Sequence, residues 1–231
     1  MPLPILLIPG LATSARLYAP QLPALWTRGP VTIADPVHDE TLAAIAARIL
    51  ADAPPRFALA GLSMGGYVSF EILRQAPERV AKLALLDTTA RPDAPEATAR
   101  REKQIKMVED GQFDLMAQFL YPGLVHPDRK DDTAFRAEVL AMMKEPGETA
   151  FIRQQKAIMG RPDSRPLLPR IACPALVLVG EADQLTPPAI AAEMAAAIPN
   201  ARHVIVPAAG HLSTLEQPQA VTAALMEWLA S

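Results

Sequence analysis

Cysteine is nearly missing from this chain of 231 residues. Cys173 is the only one, so no intrachain disulfide can form, and a reducing, cytoplasmic compartment is expected. An excess of charge of one sign is also missing. The formal net charge of −3 leaves no basic footprint for nucleic acid and no polybasic segment for a membrane surface. No apolar run approaches the roughly 20 residues that span a bilayer. Neither nucleic acid nor membrane is therefore an expected partner. The apolar start, Met1-Pro2-Leu3-Pro4-Ile5-Leu6-Leu7-Ile8, carries no positive n-region and no small-residue cleavage site. It reads as a first strand rather than a secretory signal. Internal repeats are lacking, and alanine-rich helices are the only low-complexity feature.

Half of the residues are hydrophobic and a fifth are charged, enough for a sizeable core. The length suits one large α/β domain or a domain with an insertion. Apolar runs at residues 3–8, 31–34, 57–61, 83–86, 175–180 and 203–206 read as strands, a set of about six. Helical spacing marks 41–53, with Asp39 as its candidate cap, and also 63–75, 188–198 and 217–229. Residues 11–25 read as a loop with a short helix. Strands alternating with helices imply a mostly parallel sheet covered on both faces. The 24 prolines fall mainly at element boundaries, where they punctuate the chain.

Between residues 91 and 165 strand-like runs disappear. Charged amphipathic stretches replace them at 96–109, 113–120, 133–144 and 148–159, together with Met107, Met116, Met142, Met143 and Met159. Residues 1–90 and 166–231 are accordingly expected to form the core, and 91–165 an inserted helical cap. Met142 and Met143 are candidate substrate contacts, because flexible thioethers adapt to irregular pockets. The cap is expected to govern selectivity, and the core the rate.

The stretch with chemistry in it is Ala60-Gly61-Leu62-Ser63-Met64-Gly65-Gly66. It links an apolar strand to a helical pattern, the context in which Gly-x-Ser-x-Gly forms a nucleophile elbow. A serine on such a turn projects its hydroxyl above the sheet edge. Glycines on either side let strand and helix approach, and the helix N-terminus offers N–H groups to a developing oxyanion.

A serine hydroxyl needs a base, and the base needs an orienting group. In a parallel sheet both should lie at carboxyl ends of later strands. Of the four histidines, His38 precedes the elbow, His126 falls in the insertion and His203 starts its strand at the wrong side of the sheet. His211, in Ala208-Ala209-Gly210-His211, follows the last strand and is the expected base. Candidate acids are Asp183, Asp87 and Glu181. Asp183 is preferred because its loop neighbours the strand that presents His211. Asp87, ending the fourth strand, is the alternative.

The order Ser63, Asp183, His211, with Gly61-Leu62-Ser63-Met64-Gly65-Gly66, Gly180-Glu181-Ala182-Asp183 and Gly210-His211, resembles the α/β-hydrolase superfamily nearly end to end. Within it, Ser63-Met64-Gly65-Gly66 and His211-Leu212-Ser213-Thr214-Leu215-Glu216-Gln217-Pro218 are similar to the small carboxylesterase and 3-oxoadipate enol-lactonase group. The resemblance implies an α/β-hydrolase fold, no cofactor or metal, and hydrolysis of a small ester or lactone through an acyl-enzyme. It also implies an oxyanion hole at the backbone N–H groups of Leu11 and Met64. Pro9-Gly10 stands where the family often has His-Gly. Two other activities fit the same residues. One is C–C bond hydrolysis on a carboxylate-bearing substrate, for which Arg16, Arg153 and Arg161 are candidate anchors. The other is ligand binding with little turnover.

Overall fold

Period-2 alternation along the strands builds two apolar layers, one on each side of a single sheet. In the computed structural model, which describes residues 2–231, the strands are β1 (Ile5–Ile8), β2 (Val31–Ile33), β3 (Phe57–Leu62), β4 (Val80–Leu86), β5 (Ala175–Gly180) and β6 (Arg202–Val206). Met1, the first residue of the apolar start, lies outside the described residues. Ile5, Leu7, Ala60, Leu62, Ala84, Leu86, Leu176 and Leu178 face one layer. Leu6, Ile8, Phe57, Leu59, Leu83, Leu85, Val177 and Val179 face the other. Burial of each large aliphatic stabilises by about 1.5–3 kcal/mol relative to exposure. The central strands therefore read as unbroken apolar runs, as both faces of a parallel sheet require.

The six strands are all parallel, in the order β2-β1-β3-β4-β5-β6. Helices α1 (Leu22–Leu25) and α10 (Pro218–Ala230) supply Leu25, Val221, Leu225 and Trp228 to the first layer. Helices α2 (Leu42–Asp52), α3 (Met64–Gln75) and α8 (Pro188–Ala197) supply Ile45, Val68, Ile72 and Met194 to the second. Between β4 and β5 the chain forms only helices: α4 (Pro95–Glu109), α5 (Phe113–Leu124), α6 (Thr133–Lys144) and α7 (Glu148–Met159), plus short 3-10 turns. A four-residue helix, α9 (Ser213–Glu216), precedes α10. Among the described residues no helix is long and apolar enough to cross a membrane.

The chain leaves β1 toward β2 and returns to β3 on the other side of β1. Strand order thus reverses between β1 and β3, and the crevice at the carboxyl ends of such a pair is where ligands bind in open α/β sheets. The loop after β1 holds Leu11, and the turn after β3 holds Ser63.

Some boundaries differ from the sequence reading. Thr41, not Asp39, caps α2: its hydroxyl accepts from the Ala44 N–H at 3.2 Å. Asp39 instead pairs with Arg48 at 2.7 Å. Strand β4 begins at Val80, three residues before the apolar run suggested. Lys82 interrupts the apolar pattern there, but its ammonium donates to the Trp228 carbonyl near the end of α10 at 3.2 Å. A cation at a helix C-terminus is favourably placed. Helix α5 continues through Pro122 to Leu124, four residues beyond the expected stop.

Candidate active site

Ser63 sits at φ 55°, ψ −114°, outside the regions open to most L-residues, at a cost of about 1–3 kcal/mol. Its surroundings hold it there. The Ser63 N–H donates to Leu86 O at 3.0 Å, and its carbonyl accepts from the Gly66 N–H at 2.9 Å and the Thr88 hydroxyl at 2.7 Å. The turn closes only because two positions lack a side chain. A Cβ on Gly61 would lie 2.2 Å from Gly65 O, and one on Gly65 would lie 2.0 Å from Ile8 O.

His211 follows β6 and Asp183 follows β5, and the parallel pairing of β5 with β6 brings the two loops together. His211 Nε2 lies 2.9 Å from Ser63 Oγ. His211 Nδ1 lies 2.8 Å from Asp183 Oδ2. The three side chains predicted from the sequence thus form one hydrogen-bonded line. Asp183 also accepts from the Thr186 hydroxyl at 2.7 Å and from the N–H groups of Leu185 and Thr186 at 2.9 and 3.0 Å. Its carboxylate is therefore fully engaged and held in one orientation.

Electrostatics follow from burial and charge. Burial alone opposes a charged imidazole at His211, but Asp183 overrides it by charge and hydrogen bond, with Asp87 and Glu216 adding to the effect. The net direction is upward from about 6.5. At Asp183, burial opposes the carboxylate, while His211 and the Thr186 hydrogen bonds favour it and hold it below the ordinary range.

Asp87, the alternative acid, makes no hydrogen bond to His211. Fully buried at φ 44°, it accepts from the Gly180 N–H at 2.8 Å and hydrogen-bonds the Ser213 hydroxyl. It thus ties the end of β5 to the segment just after His211. Burial, then the Asp183 charge, pushes its carboxyl up to about 8, against the pull of His211, Ser213 and Gly180. An acid raised in the folded state contributes stability that is fully present below its unfolded value near 4 and lost as pH rises through about 8. Asparagine reproduces the protonated form and does not titrate. Asp87→Asn is therefore expected to keep activity within a few-fold. Its melting temperature should gain on the wild type by a few degrees between pH 5 and pH 9. Melts showing a pH-independent difference would refute a buried, protonated Asp87.

Leu11 and Met64, the expected oxyanion donors, flank Ser63. Met64 is the first residue of α3, and the loop carrying Leu11 passes so close that a Cβ on Gly10 would lie 3.4 Å from Ser63 Cβ. Among the described residues neither backbone N–H donates to another protein group, so both are free for a ligand oxygen.

A cavity of about 220 Å³ opens onto Ser63 and His211. Met142 and Met143 line it and are themselves buried, as do Leu120, Leu124 and Val139 from the same run of helices. The arginine candidates separate. Arg161 lines the cavity, but Arg16 and Arg153 do not. Arg16 pairs with Glu145 at the surface. Arg161 is engaged by Asp93 at 2.6 Å and lies over the Tyr67 ring at 4.6 Å. His38 and His203 are exposed, and His126 lies beside Asp128.

Glu216, Gln154 and Thr186 were not among the candidate residues read from the sequence. Glu216 accepts from the N–H groups of Gly210 at 2.8 Å and His126 at 2.6 Å. Leu124 O accepts from the N–H groups of His211 and Leu212. The α5 terminus is therefore bonded to the loop that carries His211. Only the position of Thr186, three residues after an aspartate, hinted at a local side-chain contact.

The model of the alpha/beta hydrolase family matches residues 2–225. The chain belongs to that family. A thermophilic esterase from Thermogutta terrifontis superposes with a TM-score of 0.89 at 32% identity, over 99% of this chain and 89% of that one. The enol-lactonase from Burkholderia xenovorans superposes with a TM-score of 0.90 at 26% identity, over 100% and 92%. Among curated sequences, a pimeloyl-(acyl-carrier protein) methyl ester esterase from Edwardsiella ictaluri is 28% identical over 96% of this chain and 86% of its own length. This alpha/beta hydrolase thus shares its architecture across nearly its whole length with proteins named for ester and lactone cleavage.

Proposed function

We propose that this alpha/beta hydrolase cleaves a carboxylic ester or lactone of a small organic substrate through an acyl-enzyme on Ser63. The observation carrying the proposal is the unbroken line from Ser63 Oγ through His211 to Asp183, at 2.9 and 2.8 Å. In the reaction, Ser63 Oγ attacks the carbonyl carbon as its proton passes to His211 Nε2. Asp183 holds the Nδ1–H tautomer and stabilises the imidazolium. The carbonyl oxygen gains charge between the Leu11 and Met64 N–H groups. His211 then protonates the leaving alkoxide oxygen, and the C–O bond breaks. Water, deprotonated by His211, attacks the acyl-enzyme and releases the carboxylic acid. The names of the esterase and enol-lactonase relatives support the choice of substrate bond.

Multiple turnovers of a short p-nitrophenyl ester are the expected result. Tight binding with at most one turnover would favour a ligand-binding protein instead. Of the arginine candidates for carbon–carbon cleavage, Arg16 and Arg153 do not line the cavity, and Arg161, which does, shares the one Asp93 carboxylate with Arg101.

We also assign residues 91–165 as the cap over the site. Truncating Met142 or Met143 to alanine should enlarge the acyl pocket. Preference between short and long acyl esters is expected to shift by about 3–10-fold, on the scale of a methylene or two in an apolar pocket. The shortest ester should be hydrolysed within about twofold of the wild-type rate. Equal losses on all chain lengths would show that these methionines only pack.

A further inference from the structure

Helix α7 reaches into the catalytic floor through one side chain. Gln154 is completely buried. Its Oε1 accepts from the Ala12 N–H at 2.9 Å, and its Nε2 donates to Pro36 O at 3.2 Å. It bridges the loops that follow β1 and β2, from 142 positions away in the chain. Both ends of its amide are used, so the group is satisfied and its rotamer is fixed.

Leu11 lies between two peptide planes, and each is pinned by one side chain. The Gly10 carbonyl accepts from the Thr13 hydroxyl at 3.0 Å. Across a trans peptide the Leu11 N–H points opposite to that carbonyl, so Thr13 aims the N–H away from itself. The next plane, carrying the Ala12 N–H, is held by Gln154. Ala12 has φ 51°, an unfavourable value for alanine that persists only where surrounding contacts enforce it. The Tyr18 hydroxyl, donating to Ile8 O at 3.1 Å, fixes the start of the loop. Of these three restraints, Thr13 and Tyr18 are local. Gln154 alone comes from the helices between β4 and β5.

We infer that Gln154 is a positioning residue for the oxyanion hole, setting the Leu11 N–H through the Ala12 peptide and coupling cap packing to catalytic rate. This rests on the proposed roles of Ser63 and Leu11. It also removes the division in which the cap would govern selectivity alone.

The test uses Gln154→Met, which keeps side-chain length and loses both hydrogen bonds, and Gln154→Glu, which keeps the acceptor. Rates are normalised to the fraction of molecules that a fluorophosphonate labels. Gln154→Met is expected to lower kcat about 10–100-fold, below the cost of deleting an oxyanion donor outright, with KM within about threefold. An alkyl trifluoromethyl ketone adds to a nucleophilic serine and places an oxyanion in the hole. Its inhibition constant should rise by the same factor as kcat/KM falls. The matching methyl ketone, bound unreacted, should bind within about twofold of wild type. Gln154→Glu should approach wild type at low pH, where its protonated carboxyl can still donate to Pro36 O. The deficit should grow as pH rises and the carboxyl ionises. A kcat and a trifluoromethyl ketone affinity within twofold of wild type in Gln154→Met would overturn the inference, as would equal weakening of both ketones. If Gln154→Met does not fold, a pH-independent ratio of wild type to Gln154→Glu overturns it. Undiminished turnover by Ser63→Ala would instead overturn the reading of the site itself.

Discussion

Ser63→Ala is expected to lower kcat by about 10³–10⁶-fold, the range for removing the nucleophile from a serine–histidine–acid unit. At 1.36 kcal/mol per decade this is about 4–8 kcal/mol of lost transition-state stabilisation. The fold should survive. The hydroxyl bonds only to His211, whereas the strained backbone is held by Leu86, Gly66 and Thr88 through main-chain groups that alanine retains. The melting temperature should therefore stay within a few degrees of wild type. KM should change little, because the cavity walls are untouched. Fluorophosphonate labelling with peptide mapping checks the same assignment independently. An adduct on any other residue, or turnover by the alanine variant within tenfold of wild type, would reject it.

Asp183→Asn is expected to cost about 10²–10⁴-fold in kcat. The amide oxygen can keep the N–H groups of Leu185 and Thr186, which turns the new NH₂ toward His211. That NH₂ donates, so Nδ1 must accept. The ring proton then moves to Nε2, where it blocks proton transfer from Ser63. Loss of the carboxylate also withdraws the main influence raising the His211 pKa. In wild type, kcat/KM should rise with pH along a limb centred above about 6.5. In Asp183→Asn the residual limb should move to lower pH. Asp87→Asn should leave the limb nearly in place. A near-wild-type Asp183→Asn alongside a folded but inactive Asp87→Asn would transfer the acid role to the end of β4.

The two aspartates show where sequence reading reaches its limit. Asp87 and Asp183 both follow parallel strands, β4 and β5, on the side of the sheet that carries Ser63. Chain order and neighbouring loops favoured Asp183. The structure separates them by contact: Asp183 hydrogen-bonds His211, while Asp87 holds Gly180 and Ser213. The same limit applies to the arginines. Arg16, Arg153 and Arg161 are equivalent as charges in a string of letters, and only packing places Arg161 at the cavity and the other two away from it.

What the sequence determined by itself was local or periodic. Apolar runs with two buried faces specify parallel strands. The Gly61 and Gly65 positions specify a turn that only glycine can close, and that turn presents Ser63. A histidine just beyond the last strand follows from the direction of the chain in a parallel sheet. These depend on short-range sterics and on a repeat of two or 3.6 residues, both legible in order along the chain. Tertiary structure alone decided how the helices between β4 and β5 meet the loops that carry Leu11 and His211. The bonds from Gln154 to Ala12, from Leu124 to His211 and from Glu216 to His126 join residues far apart in sequence, through backbone groups or single buried polar side chains. No periodicity encodes such pairs, because docking one helix against a distant loop depends on the shapes of both surfaces at once.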